Sequence, residues 1–259
     1  MSKKLNTFEL FAGAGGLLDG FEQTNKFSLL GAVEWLKPQC RTLVKRLENK
    51  YDMKDANKKV LNFDIQRTSE LINGWEDDEF FGTHIGLNEL IGDKEVDIIS
   101  GGPPCQAYSL AGRIRDTNGM KEDYRNFLFE SYLRVVDYYR PKIIVFENVE
   151  GILSAVPSGK LIVDLVREGF NEIGYEIVDD LRKYALLDLS EYGVPQKRKR
   201  VIIIGIRRDK DINYQEILEE FYTNILQLKK IDTKCTVKDA IGNLPPIYPL
   251  ANPVGKKSH

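Results

Sequence analysis

The stretch GGPPCQAYS, residues 101–109, places a cysteine directly after two glycines and two prolines. It follows the apolar run VDIIS at residues 96–100, which is typical of a buried strand, and proline cannot extend a hydrogen-bonded ladder. Most cysteines are buried as small apolar side chains. Cys105 instead precedes a long polar segment at residues 106–126, which favours a thiol that is held in place yet accessible. Cys105 is therefore a candidate nucleophile.

A carboxylate and two arginines lie at the end of one later predicted strand and at the start of another. Glu147 and Asn148 end the apolar run KIIVFEN, where Glu147 would be partly shielded from water and Asn148 would hold it in place. The alternatives are an acid that caps a helix or anchors a loop, and an asparagine that caps the next turn. In YGVPQKRKRVIIIGIRRDK, residues 192–210, Arg198 and Arg200 share a parity and would project from one strand face, which suits contact with phosphate or carboxylate. The alternative is a solvated edge strand with basic flanks.

A glycine turn in FELFAGAGG indicates a second kind of chemistry near the start of the chain. Gly13 and Gly15 match the first part of the dinucleotide fingerprint GxGxxG, but Leu18 occupies the third glycine position, so a tight structural turn remains an alternative. Glu34 ends the second predicted strand, where a carboxylate can accept hydrogen bonds from ribose hydroxyls, and Asp64 ends the third. Together they predict a ligand that contains adenosine, without distinguishing a nicotinamide dinucleotide from S-adenosylmethionine.

The elements that must position these residues alternate between strand and helix patterns, which predicts an α/β domain with a mainly parallel sheet. Strands are predicted at residues 5–11, 29–34, 60–65, 96–100, 142–148, 175–184 and 200–206. Helical periodicity is found in KPQCRTLVKRLENK, NFLFESYLRVVDYYR, GKLIVDLVREGFNEIGY and YQEILEEFYTNILQLKK. Residues 66–95 and 106–126 are predicted to be irregular connectors, and a short capped helix is predicted after residue 235.

Composition limits the class of protein. The chain has 259 residues and a formal net charge of −2, so an anionic partner must be met by a local patch. No apolar run is long enough to span a bilayer, and the few cysteines form no CxxC pair, which predicts a protein of a reducing cytoplasm. A metal site is not expected, because the chain has only two histidines. The residues concerned are Cys40, Cys105, Cys235, His84 and His259.

Four stretches in this order, FELFAGAGG, GGPPCQAYS, FENVEGI and YGVPQKRKRVIIIG, resemble motifs I, IV, VI and VIII of the DNA (cytosine-5) methyltransferases. VEW and FDI are similar to that family's motifs II and III, so the resemblance covers about residues 5–210. It implies a Rossmann-like S-adenosylmethionine-dependent methyltransferase fold, with a mostly parallel seven-stranded sheet and one antiparallel strand. It also implies a catalytic domain at residues 1–235 and a connector at residues 236–259.

The resemblance implies methyl transfer from S-adenosylmethionine to carbon 5 of a cytosine flipped out of double-stranded DNA. Cys105 would form the covalent adduct, Glu147, supported by Asn148, would bind the ring nitrogen, and Arg200 would contact the base. Arg198 would help to hold the cysteine loop and the DNA backbone. The donor would be held by Phe11, Gly13, Gly15, Glu34, Trp35, Asp64, Ile65 and Leu128. The flipped nucleotide and its phosphates would be held by Gln106, Ser109, Arg113 and Arg115.

The segment TVKDAIGNLPP resembles the one that precedes the family's target-recognition domain. We therefore expect either the catalytic half of a split methyltransferase, completed by a second polypeptide, or a truncated chain. The family also implies a bacterial, nucleoid-associated protein of a restriction-modification system.

Three alternatives remain open. A tRNA cytosine-5 methyltransferase is disfavoured because the Cys-Phe-Thr tripeptide is absent, and a non-catalytic donor-binding subunit because Cys105, Glu147 and Arg200 are all retained. A nicotinamide-dependent oxidoreductase would leave those three residues unexplained.

Overall fold

The computed structural model describes residues 3–104, 127–156 and 160–246. Its strands are β1 (Leu5–Leu10), β2 (Phe27–Glu34), β3 (Val60–Asn62), β4 (Trp75–Asp78), β5 (Gly82–His84), β6 (Ile98–Gly101), β7 (Ile143–Val149), β8 (Tyr175–Ile177), β9 (Leu186–Asp188) and β10 (Lys199–Arg207). The first helices are α1 (Gly16–Gln23), α2 (Lys37–Tyr51), α3 (Ala56–Lys59), α4 (Thr68–Asn73) and α5 (Gly86–Ile91). Later α-helices span Phe127–Tyr139, Ile162–Glu172, Leu181–Tyr184, Tyr214–Glu220 and Val237–Ile241. Short 3-10 or π-type turns span Glu150–Ser154, Leu189–Tyr192, Phe221–Ile225 and Gln227–Lys229. None of the helices in these described ranges is long and apolar enough to cross a membrane.

The main sheet confirms the predicted α/β class. Seven strands lie in the order β3-β2-β1-β6-β7-β10-β8, and β10 is antiparallel to β7 and β8 whereas the other neighbours are parallel. The predicted strand count is corrected by an eighth, short strand, β9, which pairs with the start of β10. From β1 the chain first adds strands on one side and then, from β6, on the other. The carboxyl ends of β1 and β6 therefore lie beside a topological switch point, where open α/β sheets bind ligands.

Both faces of the central strands are buried, so their sequences read as almost continuous apolar runs. Alternation along β1 directs Phe8 and Leu10 into the larger core, which also contains Tyr132 from the helix Phe127–Tyr139. On β2, Ala32 belongs to a second core, formed with Leu43 and other residues of α2. The first strand is thus covered by helices on both sides, and this packing fixes the position and direction of the turn that follows it.

The prediction of one strand over residues 175–184 is wrong beyond Ile177. The chain turns after β8, and the carboxylate of Asp180 accepts a hydrogen bond from the Lys183 N–H at 2.9 Å, which caps the short helix Leu181–Tyr184. The strand β9 follows that helix. The apolar residues on which the prediction rested belong to three short elements rather than to one.

The prediction that residues 66–95 form an irregular connector is also wrong. This segment contains α4, the hairpin β4–β5 and α5. The hairpin turn is held by Asp78, whose carboxylate accepts hydrogen bonds from the Phe80 and Phe81 N–H groups at 2.9 Å. The acidic residues that suggested a loop therefore form the hairpin itself.

The predicted capped helix after residue 235 is confirmed as Val237–Ile241. Thr236 and Asp239 form a reciprocal capping box: the Thr236 hydroxyl accepts from the Asp239 N–H, and the Asp239 carboxylate accepts from the Thr236 N–H.

Candidate active site

The turn after β1 has left-handed backbone conformations at three positions. Phe11, Gly13 and Gly15 have φ values of 55°, 54° and 82°. That region is costly for a side chain such as phenylalanine and readily adopted by glycine. A Cβ at Gly13 would meet no atom within 4 Å, whereas one at Gly15 would overlap Leu43 of α2. Gly13 therefore leaves open space at the turn, and Gly15 allows α1 and α2 to pack closely.

Glu34 fastens this turn to the second strand. Its carboxylate accepts hydrogen bonds from the Gly13 N–H at 2.8 Å and from the Leu36 N–H at 2.7 Å. Leu36 precedes α2 as its N-cap residue, so one carboxylate joins the glycine turn to the start of the next helix. A carboxylate has about four acceptor positions, which leaves capacity for ligand hydroxyls.

A cavity of about 470 Å³ opens above the ends of β1, β2, β3 and β6. Seven of the eight residues predicted to bind the cofactor line it: Phe11, Gly13, Glu34, Trp35, Asp64, Ile65 and Leu128. The eighth, Gly15, does not belong to the lining. The sequence did not predict the other lining residues as cofactor-binding: Val33, Leu36, Gln39, Phe63, and Gly102 and Pro104 of the stretch GGPPC. Most of these are neighbours in sequence of a predicted residue. They could have been predicted from their position next to the end of a strand.

The wall at Phe63 is supported by the segment that the sequence predicted to be irregular. Trp75 stacks on Phe63 with ring centroids 3.8 Å apart, and His84 stacks on Trp75 at 5.0 Å. The Arg67 guanidinium lies 4.7 Å from the centre of the Phe63 ring. An apolar side chain at the cavity is therefore held from behind by an aromatic column.

A second group of side chains lies at the ends of β7 and β10. Glu147 and Arg200 lie on one face of this antiparallel pair, with Arg200 opposite Val149, two residues along the strand from Glu147. Arg200 Nε lies 2.7 Å from Glu147 Oε1, with both side chains partly buried. The contact is an ion pair rather than an aligned hydrogen bond, because the Nε atom has no acceptor in hydrogen-bonding geometry among the described residues. Arg200 Nη1 donates to the Lys199 carbonyl at 2.8 Å.

The two glycines of GGPPC lie where β6 passes close to other groups. A Cβ on Gly101 would lie 2.9 Å from the Leu10 carbonyl oxygen, and a Cβ on Gly102 would lie 2.8 Å from Glu147 Oε2. Real Cβ atoms do not approach this closely, so a side chain at residue 101 would overlap backbone, and one at residue 102 would displace the Glu147 carboxyl. Gly102 lines the cavity and contacts Glu147, which joins the two groups of side chains.

Asn148 connects β7 to the same turn. Its side chain is buried, donates to the Pro103 carbonyl at 3.3 Å and accepts from the Val149 N–H at 2.8 Å. Pro103 precedes Pro104, a residue of the cavity wall, and Cys105 follows directly in the sequence. The contact anchors the backbone that leads to the cysteine.

The remaining predicted residues fall into two classes. Arg198 is exposed, just before β10. Cys105, Gln106, Ser109, Arg113 and Arg115 lie outside the described residues. The roles assigned to all of these side chains stay predictions.

Comparison with known proteins agrees with this geometry. Residues 5–252 match the family model of the C-5 cytosine-specific DNA methylases, a range that crosses the predicted domain boundary at residue 235. The type II methyltransferase M.Bpa9945I of Bacillus paralicheniformis is 33% identical, covering 93% of this chain and 61% of the relative. The type II methyltransferase M.AquIA of Picosynechococcus is 34% identical, covering 96% of this chain and 92% of the relative.

A solved structure from E. coli, described as a DNA modification methyltransferase encoded within a prophage, has a TM-score of 0.62 and 26% identity. The match covers 94% of this chain and 56% of that one. The chain spans about half the length of most of the curated relatives it matches. The family model covers nearly the whole chain, and the chain in turn covers most of M.AquIA. The chain therefore belongs to the C-5 cytosine-specific DNA methylase family.

Proposed function

We propose that this protein is a DNA (cytosine-5)-methyltransferase that transfers a methyl group from S-adenosylmethionine to carbon 5 of a cytosine in double-stranded DNA. The observation that carries the proposal is the Glu147–Arg200 pair, 2.7 Å apart, beside the glycine turn that leads to Cys105. A carboxyl group, a guanidinium and a thiol are the groups that this reaction needs around the base. The family and the names of the relatives add independent support.

The cavity suits S-adenosylmethionine by its size and its groups. A volume of about 470 Å³ is within the usual range for small-molecule sites. The exposed Trp35 and the apolar side chains of Phe63 and Ile65 suit an adenine ring, and Glu34 suits the ribose hydroxyls. Open space at Gly13 allows a ligand to approach the backbone. When bound, S-adenosylmethionine supplies an electrophilic methyl group on a sulfonium.

Cys105 and Glu147 would act on different atoms of the base. Carbon 5 of cytosine is a poor nucleophile while the ring is aromatic. Addition of the Cys105 thiolate to carbon 6 forms an Sγ–C6 bond and makes carbon 5 nucleophilic. Glu147 would hold a proton at the ring nitrogen, where the electron pair from this addition accumulates, and would accept a hydrogen bond from the exocyclic amine. After carbon 5 has gained the methyl group and lost its proton to a base, the Sγ–C6 bond breaks and the thiolate is restored.

Arg200 prepares Glu147 for that role. Its guanidinium holds Oε1, and the lack of a Cβ on Gly102 leaves room for Oε2. Because the carboxyl is fixed before the base arrives, little reorganisation is needed during the reaction. Arg200 would also contact the base, and Arg198 would contact the backbone of the DNA or of the cysteine loop.

The substrate base must leave the DNA stack, since neither carbon is accessible in a duplex. We propose that residues Gln106, Ser109, Arg113 and Arg115 bind the flipped nucleotide. Recognition of a target sequence, in a restriction-modification system, would be supplied by protein beyond this domain, in the same or a second polypeptide. The type II names of the relatives and the share of their length that this chain spans support that assignment.

The test is methyl transfer by the Cys105→Ser variant, in the presence of the recognition domain, with labelled S-adenosylmethionine and either duplex DNA or tRNA. We expect labelled 5-methylcytosine in DNA with the wild type and none with the variant, while donor binding is retained. Cys235→Ser is the matched control, because Cys235 is an exposed cysteine. Undiminished transfer by Cys105→Ser, or labelling of tRNA alone, would contradict the proposal.

A further inference from the structure

Glu9 is a buried acid that the proposed reaction does not use. It lies in β1, only 3% exposed, opposite Ala32 of β2 and Ser100 of β6. Ala32 belongs to the core formed with α2, so Glu9 faces that side of the sheet. A glutamate is almost never fully buried unless it is paired.

Within the described residues, no ion pair is formed by the carboxyl of Glu9. Neither Glu9 Oε2 nor the neighbouring Ser100 Oγ has a partner in hydrogen-bonding geometry among the described residues. Burial raises the pKa of Glu9 to about 8, and the nearby Ser100 hydroxyl offsets only part of this rise. At neutral pH the carboxyl is therefore mostly protonated.

The position of Glu9 relates it to the cavity. The residues opposite Glu9 are Ala32 on β2 and Ser100 on β6. Two residues further along are the cavity residues Glu34, at the end of β2, and Gly102, directly after β6. Two strand residues span about 7 Å, and residues two apart share a face of the sheet. The Glu9 carboxyl thus lies one row of side chains below the cavity, on the same face.

The titratable groups around this face do not neutralise Glu9. Asp19 of α1 is engaged by Lys50 at 2.8 Å, and Glu34 of β2 by two backbone N–H groups. Burial raises the pKa of Cys40 of α2 to about 11, so it is neutral. Glu147 of β7 pairs with Arg200. No lysine or arginine of the described part of the chain forms an ion pair with Glu9, so a cation in the cavity would act on an isolated carboxyl.

We propose that Glu9 distinguishes the methyl donor from the product, by losing its proton when the cationic sulfonium is bound and retaining it when the neutral thioether is bound. This inference rests on the proposed function, because it requires S-adenosylmethionine in the cavity. The proton passes to the solvent on donor binding and returns after the sulfonium has lost its charge. Unit charges about 7 Å apart, the span of two strand residues, change an affinity by about tenfold or more in a partly buried site. Above pH 8, Glu9 would therefore favour the donor over the product by about that factor.

Isothermal titration calorimetry with S-adenosylmethionine and S-adenosylhomocysteine, in buffers of different ionisation enthalpy between pH 6 and 9, tests this proposal. For the wild type we expect about half a proton to be released on donor binding near pH 7.5. The ratio of donor to product affinity should rise by about tenfold from pH 6 to 9. Glu9→Gln should abolish both effects beyond the ligands' own ionisation. Glu22→Gln is the matched control: burial also raises the pKa of Glu22, but Glu22 belongs to α1 and not to the strand rows that lead to the cavity.

Identical proton release and identical pH profiles in the wild type and Glu9→Gln would overturn the inference while leaving the proposed function intact. Failure of the wild type to bind either ligand would contradict the proposed function itself. Ser100→Ala gives a second measurement in which Glu9 itself is not substituted. Because the Ser100 hydroxyl lowers the pKa of Glu9, its loss should move the rise in the affinity ratio to higher pH, and an unmoved profile would count against the inference.

Discussion

At the residue scale, the Glu147 carboxyl beside residue 102 explains why this position is a glycine. Glu147 Oε2 lies where a Cβ of residue 102 would be 2.8 Å away, and Glu147 Oε1 is held by Arg200. The carboxyl therefore cannot give way without breaking the ion pair. The same glycine lines the cavity, so one small residue keeps the proposed donor and base sites in contact.

We expect Gly102→Ala to displace the Glu147 carboxyl and to lower the rate of methyl transfer by about tenfold to hundredfold, because a small misplacement of a catalytic group is costly. Single-turnover rates measure the effect, and circular dichroism checks that the variant folds. Gly20→Ala is the control: it lies on the exposed side of α1, and a Cβ there meets no atom within 4 Å. It should raise helix stability by about 0.5–1 kcal/mol without changing the rate. Equal rates for both variants would show that Glu147 does not need its present position.

At the scale of elements, Asp19 joins α1 to the end of α2. Its carboxylate accepts hydrogen bonds from Lys50 at 2.8 Å and from the Tyr51 hydroxyl at 2.5 Å, and Arg46 lies 3.5 Å away. Burial alone would raise the pKa of Asp19, but the bonds from Lys50 and Tyr51 outweigh it and lower the pKa to about 2. The helix that follows the glycine turn is thereby fixed to the helix that follows Trp35.

We expect Asp19→Asn to lower the free energy of unfolding by about 1 kcal/mol at neutral pH, after allowance for the exposure of Lys50. Because the folded pKa is lower than the unfolded value of 3.8, the contribution is complete above that value and is lost as pH falls toward 2. Urea denaturation of both proteins between pH 2 and 7 should show the two stability curves converging in acid. Asp55→Asn, which removes an exposed i,i+4 pair with Lys59, is the control and should have little effect. Curves that stay parallel down to pH 2 would contradict this account of Asp19.

At the scale of the whole molecule, the cavity is assembled from distant parts of the chain. Its lining comes from the ends of β1, β2, β3 and β6 and from the helix Phe127–Tyr139, with the aromatic column of the α4–α5 segment behind it. A ligand that contacts so many elements stabilises the folded state as a unit. We therefore propose that this domain binds the donor, and that protein beyond it chooses the target sequence.

S-adenosylmethionine at about 100 times its dissociation constant should stabilise the domain by about 2.7 kcal/mol, which corresponds to a rise in Tm of about 5–10 °C. Thermal unfolding followed by circular dichroism measures this shift. Trp35→Ala should reduce the shift through weaker binding while changing the ligand-free Tm little, because Trp35 is 51% exposed. The exposed Phe80, away from the cavity, provides the matched aromatic control as Phe80→Ala. A donor-induced shift that is the same in both variants would remove Trp35 from the site.

The α/β class and most of the candidate site could be predicted from the sequence. Short apolar runs separated by helical periodicity predict a parallel sheet, and such a sheet brings residues at its strand ends to one edge. Seven of the eight predicted cofactor residues consequently line one cavity, and Glu147 and Arg200 meet at the neighbouring strand ends. The errors arose where composition was a weak guide. Residues 66–95 are polar enough to suggest a loop, yet they fold because Trp75 stacks on Phe63 and His84 stacks on Trp75.

Tertiary structure alone decided what each of these residues touches. Gly13 and Gly15 belong to one motif, but Gly13 lies at the cavity and Gly15 packs against Leu43. Glu9 belongs to the same stretch and was not singled out, because the sequence does not show that its carboxyl would be enclosed beside Ser100, with an Oε2 atom that no group in the described part of the chain hydrogen-bonds. The periodicity of a strand fixes which face a side chain takes. Its burial, its partners and its protonation depend on neighbours that are distant in the sequence, and folding alone brings those neighbours together.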